Sequence, residues 1–149
     1  MALARVMGLT DMIYTARYGQ VIGLSLIDGS TLSELGHVEE IWMDESGQIA
    51  YLSSSDTYFP LEQIAEVGAL AVVAHSGFGE PSPPFPLHRL QQFVVRSPMG
   101  ESLGWVNDFL FDWHSGVIVA YVVSGPIACA LGGSAILYPS EVEAIESEA

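Results

Sequence analysis

One stretch of this chain is written twice. Leu35-Gly36-His37-Val38 opens a run that ends near Leu52, and Leu103-Gly104-Trp105-Val106 opens a second that ends near Val122. Each continues through apolar residues to an aspartate, Asp44 or Asp112. Each then closes on Ser-Gly, at Ser46-Gly47 or Ser115-Gly116, and returns through Ala50-Tyr51 or Ala120-Tyr121. An apolar run, a turn rich in Asp, Ser and Gly, and a second apolar run predict a β-hairpin. Two copies in the same order predict two similar small modules, and 149 residues is a length that accommodates them.

The rest of the chain falls into place around these copies. Residues 1–19 form an N-terminal arm, less acidic than the remainder because Arg5 and Arg17 lie in it. The first module spans 20–76: a strand over 21–27 ended by Asp28-Gly29-Ser30, then the 35–52 hairpin. A short strand with a proline stop at Tyr58-Phe59-Pro60-Leu61-Glu62 follows, and a last buried strand over 69–74. Residues 77–88 carry Pro81, Pro83, Pro84 and Pro86, which disfavour helix and central strand, so this segment reads as a stiff linker. The second module, 89–146, repeats the order: a strand over 92–96, the hairpin over 103–124, an apolar loop over 125–134, then Tyr138-Pro139-Ser140-Glu141. Residues 147–149 end an acidic tail. The uncharged run 117–137 is no membrane helix, because Gly125-Pro126 and Gly132-Gly133 break it twice and its first half is β-branched. The expected class is all-β with minor helix.

Charge narrows the partners. Eighteen acids stand against four arginines and no lysine, a net charge of −14. Affinity for nucleic acid comes mainly from neutralising phosphates, so direct binding to nucleic acid or to anionic membrane is disfavoured. A single cysteine, Cys129, permits no intrachain disulfide and is easiest to place in a reducing compartment, the cytoplasm.

A search for chemistry finds no catalytic, cofactor or metal motif. His37, His75, His88 and His114 lie in separate segments without paired-ligand spacing. Cys129 has no neighbouring cation to lower its pKa, and Gly132-Gly133-Ser134 lacks the lysine of a phosphate loop. Glu39, Glu40, Asp44 and Glu45 alternate across strand faces, which is no calcium-loop geometry, so they read as a solvated acidic rim. The candidate contacts are therefore those of an interface: the rim acids Glu39, Glu40 and Glu45, the loop residues Ile127 and Leu131, and Trp113, a turn tryptophan that would anchor a partner if exposed.

The ordered set of strand, turn, Leu-Gly-x-Val, Asp-bearing hairpin and aromatic-Pro-x-Glu resembles the PRC-barrel family, and it does so twice over nearly the whole chain after Gln20. That small β-barrel occurs in the photosynthetic reaction-centre H subunit and in the ribosome-maturation factor RimM. The resemblance implies two tandem barrels and a habit of binding other macromolecules rather than one chemistry. It implies a non-enzymatic adaptor or assembly module whose protein partner belongs to a photosynthetic membrane complex, with the chain held at its periphery. The competing expectations are a ribosome or RNA-maturation factor acting through ribosomal-protein contacts, and a small-ligand or metal binder at the inter-barrel groove.

Overall fold

Period-two alternation of apolar residues, broken by Gly, Pro and Asp turns, makes strands of most of the chain. In the computed structural model, residues 14–76, 79–83, 86–90, 93–125, 134–139 and 144–146 are described. They form β1 (Thr15–Arg17), a one-turn helix α1 (Tyr18–Val21), β2 (Ser25–Asp28), β3 (Glu34–His37), β4 (Glu40–Met43), β5 (Ile49–Ser54) and β6 (Thr57–Pro60). A 3₁₀ turn (Leu61–Gln63) leads into β7 (Ile64–Val67) and β8 (Ala71–Ala74). Beyond these come β9 (Val94–Arg96), β10 (Ser102–Asp112), β11 (Ile118–Ser124), β12 (Ser134–Leu137) and β13 (Ala144–Glu146). The all-β class with minor helix holds. None of the described helices is long and apolar enough to cross a membrane.

The chain divides into two compact units. Unit 1 is Met1–Arg89 together with Phe111–Val117, and unit 2 is Leu90–Leu110 with Ile118–Ala149. The second hairpin turn belongs to unit 1.

Unit 1 holds two sheets. One has the order β3-β2-β8-β7, with β2 and β8 parallel, and buries Leu26 against Val72 across the ladder, both fully inaccessible. The other is β4-β5-β6, in which Ile41, Leu52 and Phe59 pair side by side and face the core at 1%, 1% and 2% exposure. Unit 2 is built on β12-β11-β10-β9-β13, with Val95, Val106, Phe109 and Val123 buried.

Several expectations need correction. The 21–27 stretch starts helical, not extended, because Tyr18 and Val21 bury one face of α1 before β2 begins. The end of the arm is part of unit 1, since Ala16 and Tyr18 are buried. The 35–52 stretch is not one hairpin. Its first strand, β3, pairs with β2, and only β4 and β5 form the hairpin. The 77–88 segment is no free linker, because Glu80 and His88 each form a β-bridge within unit 1.

The repeat survives at the level of pairing. In unit 1 the first strand pairs with the Leu-Gly strand, and the stretch after it pairs with the return strand. The return strand then pairs with the aromatic-Pro strand (β2·β3, β4·β5, β5·β6). In unit 2, β9·β10, β10·β11 and β11·β12 follow the same order. Gly36 and Gly104 both have a positive φ, 142° and 135°, which disfavours any side chain there. A Cβ on Gly36 would lie 2.5 Å from Ser54 Oγ, and one on Gly104 would run into the backbone carbonyl of Ser124. Ser54 and Ser124 occupy matching places at the ends of β5 and β11.

Candidate functional site

The echoed acids prove to be structural. Two residues after each Leu-Gly-x-Val lies Glu40 or Asp108. Each carboxylate turns back on the following residue: Ile41 N–H donates to Glu40 Oε1 at 3.0 Å, and Phe109 N–H to Asp108 Oδ1 at 2.8 Å. In β10 the burial alternation changes phase here, with Asp108 and Phe109 both buried. In both strands the carboxylate offers an acceptor to the N–H that follows it. Glu40 also accepts from Tyr18 Oη at 2.8 Å and pairs with Arg89 at 3.5 Å. Its side chain is only 15% exposed, so Glu40 is withdrawn from the expected acidic rim. Glu39 and Glu45 are exposed.

The turn aspartates do a second local job. Asp44 Oδ1 accepts from Ser46 N–H (2.9 Å), Ser46 O–H (2.6 Å) and Gln48 N–H (3.2 Å). Asp112 Oδ1 accepts from His114 N–H (2.7 Å) and Ser115 N–H (3.1 Å). These are Asx turns, which explain why Asp must precede Ser-Gly in both copies. Burial works against the Asp44 carboxylate, but the hydrogen bonds from Ser46, Gln48 and Gly47 outweigh it, and its pKa falls below 3.8.

Trp113 is not an exposed anchor. It is 4% exposed: its ring meets Tyr14 edge-on at 5.3 Å, and its backbone N–H donates to Tyr14 O at 2.9 Å. His114, exposed in that turn together with Ser115, stacks on Tyr14 at 4.3 Å. Ile127 and Leu131 lie outside the described residues. Within unit 1 a cavity of about 380 Å³ is lined by Asp44, Tyr51, Pro60, Glu62, His114 and Ser115. Its Asp44 Oδ1 is committed to the turn. Among the described residues no three His, Cys, Asp or Glu side chains converge as a metal site would require.

Two aromatic surfaces emerge among the described residues. The first is the outward face of the unit 2 sheet. Gly104 pairs with Val95, and its absent Cβ points at Val123, so Val95, Val106 and Val123 share the inner face. Their sequence neighbours Val94, Trp105 and Val122 therefore share the outer one. Trp105 pairs with Val94, and Ile136 pairs with Val122. Trp105 is 44% exposed and Ile136 60%. A signal was present: Trp105 fills the x of Leu-Gly-x-Val, where the first copy has His37, itself an exposed side chain.

The second surface is the non-core face of β4-β5-β6, which carries Trp42, Tyr51 and Tyr58. Trp42 pairs with Tyr51, Tyr58 with Ser53, and Trp42 Nε1 donates to Ser53 Oγ at 2.9 Å. The rings stand 6.0 and 6.4 Å apart at steep angles, the arrangement that aromatic quadrupoles favour. Tyr51 is buried and donates to Glu80 Oε1 at 3.0 Å. Burial, that hydrogen bond and the charges of Glu80 and Glu62 push its pKa up to about 12.

No protein-family model matches this chain, and no curated protein is significantly similar to it.

Proposed function

We propose that this chain is a non-enzymatic adaptor that binds a protein partner through the outward sheet face of unit 2. The observation that carries this reading is the row of apolar side chains, Val94, Trp105, Val122 and Ile136, on the non-core face of a regular sheet. A half-exposed tryptophan on a hydrogen-bonded strand is held in place before contact. It therefore loses little freedom on binding, and tryptophan is among the residues that most often dominate interface energy. The net charge of −14 favours a partner whose rim is basic over one made of phosphates. The PRC-barrel resemblance of the two Leu-Gly-x-Val copies adds a partner class. On that resemblance the partner is a protein of a photosynthetic membrane complex, and the chain sits at its periphery.

The test is affinity capture from native extract with the intact chain and with a Trp105→Asp, Ile136→Asp variant, followed by titration of the recovered partner. Both positions are exposed, and circular dichroism checks that the variant keeps its fold. Loss of about 30-fold in affinity corresponds to removal of one interface hot spot of about 2 kcal/mol. Equal binding by both chains sinks the proposed face. Co-sedimentation with ribosomal particles, rather than recovery with a membrane complex, replaces the partner class.

A further inference from the structure

Met43 and Tyr58 lie on the two outer strands of β4-β5-β6. One proline-bearing segment reaches both. Tyr58 and Glu80 exchange both backbone hydrogen bonds, at 2.7 and 2.6 Å, and Met43 and His88 do the same at 2.7 and 2.8 Å. Side chains from the segment meet the aromatic face: Glu80 accepts from Tyr51 Oη, and Arg89 pairs with Glu40. Those two partners project from the same side of the sheet as Trp42, because Glu40 pairs with Ser53 and Trp42 with Tyr51. At the Tyr58 edge the approach is so close that a Cβ on Gly79 would strike Thr57 and come within 2.8 Å of the Tyr58 carbonyl.

We propose that this three-stranded sheet is a receptor for an extended, proline-containing segment bearing a carboxylate and a distal basic residue, and that residues 79–83 and 86–89 are its resident ligand in cis, exchangeable for a like segment of a partner protein. Each contact is an isolated backbone bridge at a sheet edge, and, as in strand addition, backbone bonds would hold the ligand while side chains select it. The attachment is built to be exchangeable. Among the described residues each edge is held by a single bridge rather than a ladder, and Pro81, Pro83 and Pro86 have no N–H with which to extend one. Pro81, Ser82, Pro86, His88 and Arg89 are exposed. Tethering gives the resident segment an effective concentration of order millimolar, so an incoming segment competes poorly until the resident one is weakened. The receptor lies wholly in unit 1, so this proposal stands or falls apart from the unit 2 face.

A labelled peptide with the sequence of residues 79–89, titrated by fluorescence anisotropy against the full chain, tests it. Gly79→Val lifts the resident segment from Tyr58, and Glu80→Ala with Arg89→Ala loosens it without placing new bulk near the sheet. If the intact chain frees its receptor about 1% of the time, full release tightens peptide binding about 100-fold. Either variant is expected to bind at least about tenfold more tightly than the intact chain. Adding Tyr51→Phe to the double variant is expected to weaken the peptide again. Equal weak binding by all chains, or equal binding of a peptide with the prolines and glutamate replaced, overturns the receptor. A dimer of the loosened chains that peptide does not dissociate overturns the partner as occupant, because the segment is then exchanged between copies.

Discussion

The Leu-Gly strand of unit 2 runs unbroken for eleven residues as β10, whereas the same stretch of unit 1 is divided into β3 and β4, which sit in different sheets. Both have a positive-φ glycine, a carboxylate that caps the next N–H and an Asx turn. The division falls at Val38-Glu39, where one residue looks to each side: Val38 N–H donates to Leu24 O at 2.9 Å, and Glu39 N–H to Ser53 O at 2.8 Å. Glu40, one methylene longer than Asp108, reaches Tyr18 as well as its own neighbour. The positions that repeat set which strands pair. The positions that differ decide what each face meets, with His37 in unit 1 where unit 2 has Trp105.

The largest expected effect separates the two glycines. Gly104→Ala drives a Cβ into the Ser124 backbone carbonyl, which cannot rotate away, and is expected to cost more than about 4 kcal/mol or abolish folding of unit 2. Gly36→Ala meets the movable Ser54 Oγ, is expected to cost about 1–3 kcal/mol, and is partly rescued by Ser54→Gly. Urea midpoints measure both. Equal losses at the two sites would mean that strained φ, not the obstacle, governs them.

The capping acids come next. Glu40→Ala and Asp108→Ala are each expected to cost about 1–3 kcal/mol by removing a part-buried or buried carboxylate that accepts from the next N–H. Glu40→Gln keeps a carbonyl acceptor and is expected to retain most of the stability, by thermal unfolding. If Glu40→Ala is neutral, the matching of the two acids is coincidental.

Two pH effects follow in unit 1. Tyr51 is raised from 10 to about 12 in the folded chain. Its contribution is therefore complete below pH 10 and is lost as pH rises toward about 12, where the unfolded chain has already released the proton. Phenolate absorbance during alkaline titration is expected to lose its highest transition in Tyr51→Phe. The smallest effect belongs to Asp44. Its folded pKa lies below 3.8, so its contribution is present above that pH and lost as acid titrates the folded carboxylate. Asp44→Asn is expected to flatten the acid limb of the stability curve, and an unchanged limb would remove the turn from the account.

The Asp-Ser-Gly turns and the all-β class were legible because they rest on local chemistry. Asp before Ser-Gly makes its own turn, and alternation makes strands wherever a core exists. Burial of a particular side chain was not legible. Trp113 stands in a turn, where sequence reads exposure, yet Tyr14, about a hundred residues earlier, closes over it. Glu40 sits in an acidic run, where sequence reads solvent, yet Tyr18 and Arg89 converge on it. The proline-rich segment has the composition of a spacer, and Gly79, Glu80 and His88 tie it to the sheet. Sequence by itself determined which short segments turn and which extend, since those preferences act within a few residues. Tertiary structure decided which acids face inward, which tryptophan is left outside and where the proline segment lies, because each depends on partners far away in the chain.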